Sequence, residues 1–334
     1  MKISIAMATY NGEKYIERQL NSMLHQKRLA DEVIICDDQS TDATADIVKE
    51  FIETHHLDNW FFEINETNKG FIGNFFGAIR KTTGDIVFLC DQDDEWEENR
   101  LQQMEKILLD NPNIMALNTA VKLIDGVGNP ISMNNKKGYC NANILHAAVA
   151  EDALQPFSFD FLVKSNISPG CTMCVTKELK EKFLNYEEKC IETKFPHDWF
   201  FNLLASLESG TYFKNTVYTK YRIHEHNTIG VDTETDEQVA EIKSTKQMRE
   251  DIGKFHFERA QFIKNELSLN EENRKYIEKY LVFAEKRYAF LQSLSIGKLC
   301  SLYKHIRMYY NTIGWKAMIS DVLYCLRLER LLRR

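Results

Sequence analysis

The sequence predicts an α/β protein: an open, mainly parallel, Rossmann-like sheet flanked by helices, followed by a helical C-terminal extension. Three observations carry this. Short apolar runs of strand character alternate with segments of helical spacing through the first hundred residues. Each of those runs stops at a cluster of polar residues, the place where open α/β sheets bind their ligands. Beyond Pro196 the chain has no proline to interrupt long helices, and from about residue 241 the pattern is helical. With 334 residues, 44% hydrophobic and 27% charged, the chain can bury a substantial core and is not a disordered one.

Residues 3–9 read as a strand that ends at Tyr10-Asn11-Gly12-Glu13, and Ile16, Leu20 and Leu24 then recur at helical spacing over 15–26. A second strand, 32–36, ends at Asp37-Asp38-Gln39-Ser40-Thr41 and leads into a helix near 42–55. A third, 60–64, ends at residues 65–70, before a helix over about 71–81. The fourth, Ile86 to Cys90, is the most informative, because it stops at Asp91, Asp93 and Asp94, three carboxylates within four positions. Acids crowded at the end of a buried strand repel one another and resist desolvation. A divalent cation held between them and a phosphate-bearing ligand resolves both costs. The competing reading is an acidic turn in which Asp93 or Asp94 caps a helix over 97–110.

Composition and missing motifs narrow the class. The net charge of -7 argues against a general nucleic-acid binder, yet it is unevenly spread: residues 297–334 carry eight Lys and Arg against Asp321 and Glu329, about +6, leaving about -13 on the rest. Eight cysteines behind a strand that starts directly after Met1-Lys2 suggest reduced thiols in a cytoplasmic protein. Cys36 and Cys90 read as core residues, and Cys171-x-x-Cys174 lacks the second pair or nearby His that a zinc site would show. No apolar run is long enough to span a membrane. Neither G-x-G-x-x-G after the first strand nor G-x-x-x-x-G-K-[ST] occurs, which disfavours dinucleotide enzymes and P-loop ATPases. The acidic, nearly glycine-free first loop disfavours a nucleotidyltransferase holding a triphosphate. Asp37 or Asp38 can accept from a pyrimidine imide, so a pyrimidine diphosphate is the better fit.

The ordered set T-Y-N-G-E-K-Y-I at 9–16, D-D-Q-S-T-D at 37–42, N-K-G at 68–70 and D-Q-D-D at 91–94 resembles family 2 glycosyltransferases of the GT-A fold. Pro169-Gly170-Cys171-Thr172-Met173, His197-Asp198-Trp199 and Tyr221-Arg222-Ile223-His224 are similar to the bacterial polysaccharide rhamnosyltransferase branch. The resemblance covers about residues 1–230. It implies a GT-A catalytic domain over 1–235, with a nucleotide-sugar-binding half at 1–120 and an acceptor half at 121–235, followed by a helical region over 236–334 with a basic amphipathic tail.

What the resemblance implies for the site is specific. Asp93 would ligate Mg2+ or Mn2+, with Asp91 on the metal or ribose and His224 beside the metal. Thr9, Tyr10, Asn11, Glu13, Asp37 and Asp38 would hold base and ribose, while Asn68, Lys69, Gly70, Gln92 and Arg222 complete the nucleotide-sugar pocket. Pro169, Gly170, Cys171, Thr172, His197 and Trp199 would border the acceptor. Asp198, at the start of a helical pattern, would be the base, with Glu188 and Glu192 as fallbacks. The expected reaction is inverting transfer of a sugar, L-rhamnose from dTDP-rhamnose first, onto a bacterial surface polysaccharide or lipid-linked glycan. A UDP-hexose or UDP-HexNAc donor, or non-catalytic sugar-nucleotide binding, is the alternative. An acidic stretch near 230–238 reads as a closing loop or as disorder. The tail from residue 306 interleaves Tyr309, Trp315, Met318 and leucines with Lys and Arg, the pattern of a helix lying on an anionic membrane face. Packing against the catalytic domain or a homo-oligomer contact is the other reading of that tail.

Overall fold

The first strand, β1 (Ile3–Thr9), lies at the centre of the N-terminal unit: it pairs in parallel with β2 (Glu32–Asp37) on one side and β4 (Ile86–Cys90) on the other. β3 (Trp60–Ile64) extends the parallel set beyond β2. The helices between these strands are α1 (Ile16–Leu24), α2 (Thr44–Thr54) and α3 (Gly70–Lys81). The computed structural model describes residues 1–132, 140–141, 144–145, 149–225, 227 and 246–328. It divides into two units, Met1–Val231 and Asp232–Arg334. The stretch near 230–238 and residues 329–334 lie outside the described residues.

Alternation decides which side chains go where. Ile3, Ile5 and Met7 of β1 share one face with Ile35 and Phe88, and pack with Ile16, Leu20 and Met23 of α1 and Val48 of α2. Burying each such side chain contributes about 1.5–3 kcal/mol relative to exposure. A second layer is aromatic: Phe76 of α3 stacks on Phe183 at 4.3 Å between ring centres, and Phe183 stacks on Phe201 at 3.7 Å. Those rings join α3 to α6 (Lys177–Leu184) and α8 (His197–Ser206).

Beyond β4 the chain departs from simple alternation. β5 (Glu95–Trp96) and Asn99, at the helix N-cap, intervene before α4 (Arg100–Asp110), so neither Asp93 nor Asp94 caps that helix. β6 (Ala116–Ile124) is followed by the short β7 (Cys140–Asn141), β8 (Ile144–Leu145) and β9 (Leu154–Pro156), then α5 (Phe159–Leu162). β10 (Cys174–Thr176) inserts antiparallel between β4 and β6, and after α6, α7 (Glu187–Thr193) and α8 the chain enters β11 (Thr211–Arg222). The strand order is β3-β2-β1-β4-β10-β6-β11-β5, a mixed sheet rather than a purely parallel one. The antiparallel insertion leaves the carboxyl end of β4 open beside the turn that leads into β10.

The C-terminal unit is helical, with helices Lys246–Glu266, Glu271–Ser293, Ile296–Tyr303 and Ile306–Cys325. Gly314 breaks the last of these with φ 72° and ψ 167°, a conformation available essentially to glycine alone. The apolar residues of this helix do not all face outward: Tyr309 is fully buried, whereas Ile306, Tyr310, Trp315 and Ile319 are exposed. Asp321 is also fully buried and holds the helices together, accepting hydrogen bonds from Arg249, from Arg287 Nε at 3.2 Å and from the Tyr309 hydroxyl. Asp321→Ala would strand two guanidinium groups in the interior, and should cost about 3–5 kcal/mol of the stability of this unit, measured by denaturant titration.

Candidate active site

A cavity of about 350 Å³ opens at the carboxyl ends of β1 and β4, lined by Thr9, Tyr10, Asp38, Asn68, Gly70, Asp91, Gln92, Asp93, Pro169, Gly170, His197 and Asp198. Residues from six separate stretches of the sequence therefore meet in one place. Ala8, Phe71, Asn74, Phe75, Pro196, Tyr221 and Asn227 complete the lining, and of these the sequence motifs include only Tyr221, with no role of its own.

On the β1–β2 side, several expected donor contacts are spent on one another. Asp37 is fully buried and accepts from Thr9 Oγ1 (2.8 Å), Ser40 N (2.8 Å) and Ser40 Oγ (2.6 Å). Asn11 accepts from Thr41 N at 2.8 Å, and Glu13 accepts from Ala43 N at 2.9 Å. These residues fasten the first loop to the second, and Asn11, Glu13 and Asp37 do not line the cavity. Asp38 does, its Oδ1 accepting from Lys69 N (2.8 Å) and Asn65 Nδ2 (2.9 Å). Asn68 donates to Asp38 O at 2.9 Å, and Gly70 sits at φ 69°, which lets the chain turn there into α3. Lys69 points its Nζ to Asn65 Oδ1 at 3.1 Å rather than into the cavity. Asn74 reaches down from α3 to donate to Thr9 O (3.2 Å) and Cys36 O (3.0 Å), tying the ends of β1 and β2 together.

The acidic loop after β4 is held from both sides. Gln92 clasps Tyr10 by accepting from its N–H and donating to its carbonyl, each at 2.8 Å. Gly12 makes room for that clasp, since a Cβ there would fall 2.3 Å from Gln92 Oε1. Asp93 Oδ2 meets His224 Nε2 at 2.8 Å, and the His224 ring packs on Tyr15 with centres 4.7 Å apart. Arg222 was expected to reach the donor. Instead its fully buried guanidinium donates to Asp93 O (2.7 Å), Asp125 O (3.0 Å) and the Glu95 carboxylate, and its backbone N–H donates to Asp94 Oδ1 at 3.0 Å. Arg222 thus positions the acidic loop rather than touching a ligand.

Crowding shows in the acidities. Burial, and then the charge of Asp93, pushes the Asp94 carboxyl up to about 7. Asp91 is only half-buried at the cavity wall, yet the loss of water around it, followed by the charges of Asp94, Asp93 and Asp198, pushes its carboxyl well above the usual range. Such a set fits a hard divalent cation: the carboxylates of Asp91 and Asp93 open on the cavity, and the imidazole of His224 lies beside Asp93. Mg2+ or Mn2+ there would offset the repulsion that raises these values.

The opposite wall is the start of α8. Asp198 lies in its first turn, 4% exposed, and accepts from Asn166 Nδ2 at 3.0 Å and from Trp199 N at 2.8 Å. Behind it runs a chain of fully buried amides: Asn202 Nδ2 donates to Asn166 Oδ1 (3.0 Å), and Asn118 Nδ2 donates to Asn202 Oδ1 (2.7 Å). His197 stacks on Phe75 with ring centres 4.2 Å apart, and burial drops its imidazole to about 3, so it stays neutral. Pro169 and Gly170 line the cavity. Cys171, Thr172 and Trp199 do not: they are buried, Thr172 Oγ1 donating to Pro169 O and Trp199 Nε1 to Leu162 O. Glu188 and Glu192 are exposed on α7, away from the cavity, and are no substitutes for Asp198.

The order of strands and the position of this cavity define a GT-A fold. Residues 4–147 match the family model of glycosyl transferase family 2, so this stretch carries that family's domain. Among its relatives is the dTDP-rhamnosyl transferase RfbG of Shigella flexneri, 28% identical over 233 residues, which are 67% of this chain and 73% of that protein. Another is the UDP-Glc:alpha-D-GlcNAc-diphosphoundecaprenol beta-1,3-glucosyltransferase WfgD of Escherichia coli, 30% identical over 172 residues, which are 49% of this chain and 66% of that protein. The fold is similar to that of Staphylococcus aureus TarS residues 1–349 in complex with UDP-GlcNAc, with a TM-score of 0.55 and 20% identity, covering 100% of this chain and 88% of that one.

The weakened acidity of Asp94 predicts a pH dependence with a definite sign. Asp94 titrates higher in the folded chain than when unfolded, so between about pH 4 and pH 7 the folded state holds the extra proton and stability falls as pH rises. In chelator, thermal unfolding should shift downward across that window and level off above it. Asp94→Asn should flatten the slope, and Mn2+ should raise the midpoint more at pH 7.5 than at pH 5.

Proposed function

We propose that this chain is an inverting, metal-dependent glycosyltransferase. It moves a sugar from a nucleoside diphosphate donor to a hydroxyl of a bacterial surface polysaccharide or a lipid-linked glycan. The observation that carries this reading is a single cavity lined both by Asp91 and Asp93 and by Asp198, the two kinds of carboxylate that the reaction needs.

A divalent cation held by Asp91 and Asp93, with His224 beside them, would supply Lewis-acid neutralisation of the departing diphosphate. The chain's own residues do the rest. Asp38 and the exposed ring of Tyr10 form the nucleobase end, held in register by Asn74 and by the clasp from Gln92. Asp198 accepts the proton of the acceptor hydroxyl as its oxygen forms the new bond to the anomeric carbon. The bond from that carbon to the phosphate oxygen breaks on the opposite face, which inverts the centre. Asn166, fixed by Asn202, keeps the Asp198 carboxylate aimed. L-rhamnose from dTDP-rhamnose is the donor this reading favours, supported by the extent of the match to RfbG. A UDP-hexose or UDP-HexNAc is the second choice, supported by WfgD and TarS.

The same reading places the protein at the inner face of the cell membrane. Ile306, Tyr310, Trp315 and Ile319 are exposed in a stretch, residues 297–328, that carries Lys298, Lys304, Arg307, Lys316 and Arg327 and whose sole carboxylate, Asp321, is already paired inside the unit. Among the described residues no helix is long and apolar enough to cross a membrane.

Donor hydrolysis across a panel of dTDP-, UDP- and GDP-sugars, with Mn2+ and with chelator, tests the activity. A dTDP or UDP donor should turn over, and chelator or Asp93→Ala should abolish it. Asp198→Asn should lower kcat by about 100-fold or more with little change in donor affinity; a fully active Asp198→Asn would remove that residue from the mechanism. Trp315→Ser with Tyr310→Ser should weaken sedimentation with anionic vesicles but leave donor hydrolysis intact. Unchanged sedimentation would remove the membrane claim.

A further inference from the structure

We propose that Asp91, Asp94 and Cys171 form a second cation site beneath the cavity, one that takes a thiophilic divalent ion such as Zn2+. One carboxylate oxygen from each aspartate and the Cys171 sulfur all lie within 4.8 Å of one another. Asp94 and Cys171 are both fully buried. Asp94 Oδ1 accepts from Arg222 N, while Oδ2 is sealed from water without a nitrogen or oxygen donor, and the Cys171 thiol is a side-chain hydrogen-bond partner of this carboxyl. The carboxyls of Asp91 and Asp94 both meet the Cys171 thiol, and a metal ion in place of the thiol proton would engage all three donor atoms at once.

The donor chemistry selects the ion. Mg2+ and Mn2+ favour all-oxygen shells, whereas two carboxylate oxygens with one thiolate match the mixed ligand sets of Zn2+. Binding displaces the Cys171 thiol proton to solvent and puts the thiolate on the metal. Asp91 lines the cavity and gives the ion a way in, and three protein ligands leave a fourth position for water. The residues arrive from two elements, the loop after β4 and the Gly170–Thr172 turn before β10, which is why the spacing of Cys171-x-x-Cys174 does not disclose the site. Asp91 belongs to both this site and the donor-cation site. Occupancy by Zn2+ therefore withdraws Asp91 from the donor, and the site is inhibitory.

The test uses the full chain with Co2+ as probe, read by absorption and so independent of whether sugar is transferred. Reduced protein titrated with Co2+ should develop a thiolate-to-metal band in the near ultraviolet, and added Zn2+ should bleach it. The band should vanish in Cys171→Ser and persist in Cys174→Ser and Cys90→Ala. Zn2+ affinity should fall at least tenfold in Cys171→Ser and in Asp94→Asn, while Mn2+ binding followed by electron paramagnetic resonance changes less than twofold in Cys171→Ser. Circular dichroism verifies the fold of each variant, with Cys171→Ala standing in should the serine variant not fold. A wild-type protein without the band, or a band that survives loss of the Cys171 thiol, overturns the proposal.

Discussion

The buried guanidinium of Arg222 is the constraint on which the site rests. At the end of β11 it gathers Asp93 O, Asp125 O and the Glu95 carboxylate, and its backbone N–H takes Asp94. Carboxylates as close as Asp91, Asp93 and Asp94 would separate if the loop were free to relax. A cation fixed within the protein, sealed from solvent and bonded to the backbone of the loop, holds them in place. The loop is thus strained electrostatically and anchored mechanically, and the same crowding and burial weaken Asp91 and Asp94 as acids.

The two walls of the cavity are built on different principles. The wall at the ends of β1 and β2 is a lattice of loop-to-loop hydrogen bonds in which Asn11, Glu13 and Asp37 serve the neighbouring loop while Asp38 and Tyr10 line the cavity. The other wall is the first turn of a helix, where Asp198 accepts from Asn166 Nδ2 and from Trp199 N. One wall resists sliding of two loops; the other fixes the direction of one side chain.

Much of this was legible in the sequence, for identifiable reasons. The four parallel strands and their polar ends follow from short-range alternation, and Asp38, Asp91, Asp93 and Asp198 sit where strand ends or a helix start put them. What was not legible depends on pairings between distant residues. A three-residue strand such as β10 carries too little pattern to reveal that it runs antiparallel between β4 and β6. Arg222 reads in the chain as one more cation near the site, and only its partners show that it is spent on carbonyls. The Asn118, Asn166 and Asn202 series spans 84 positions between its first and last hydrogen-bonded members, and asparagine is ordinary in all three contexts.

That amide series has a further consequence. Its members neither gain nor lose protons at any pH the protein survives, so the direction in which Asp198 points is indifferent to acidity. A bell or a shoulder in the rate against pH would then arise from the acidic groups around the cavity, Asp94 at about 7 among them, and not from the support behind Asp198.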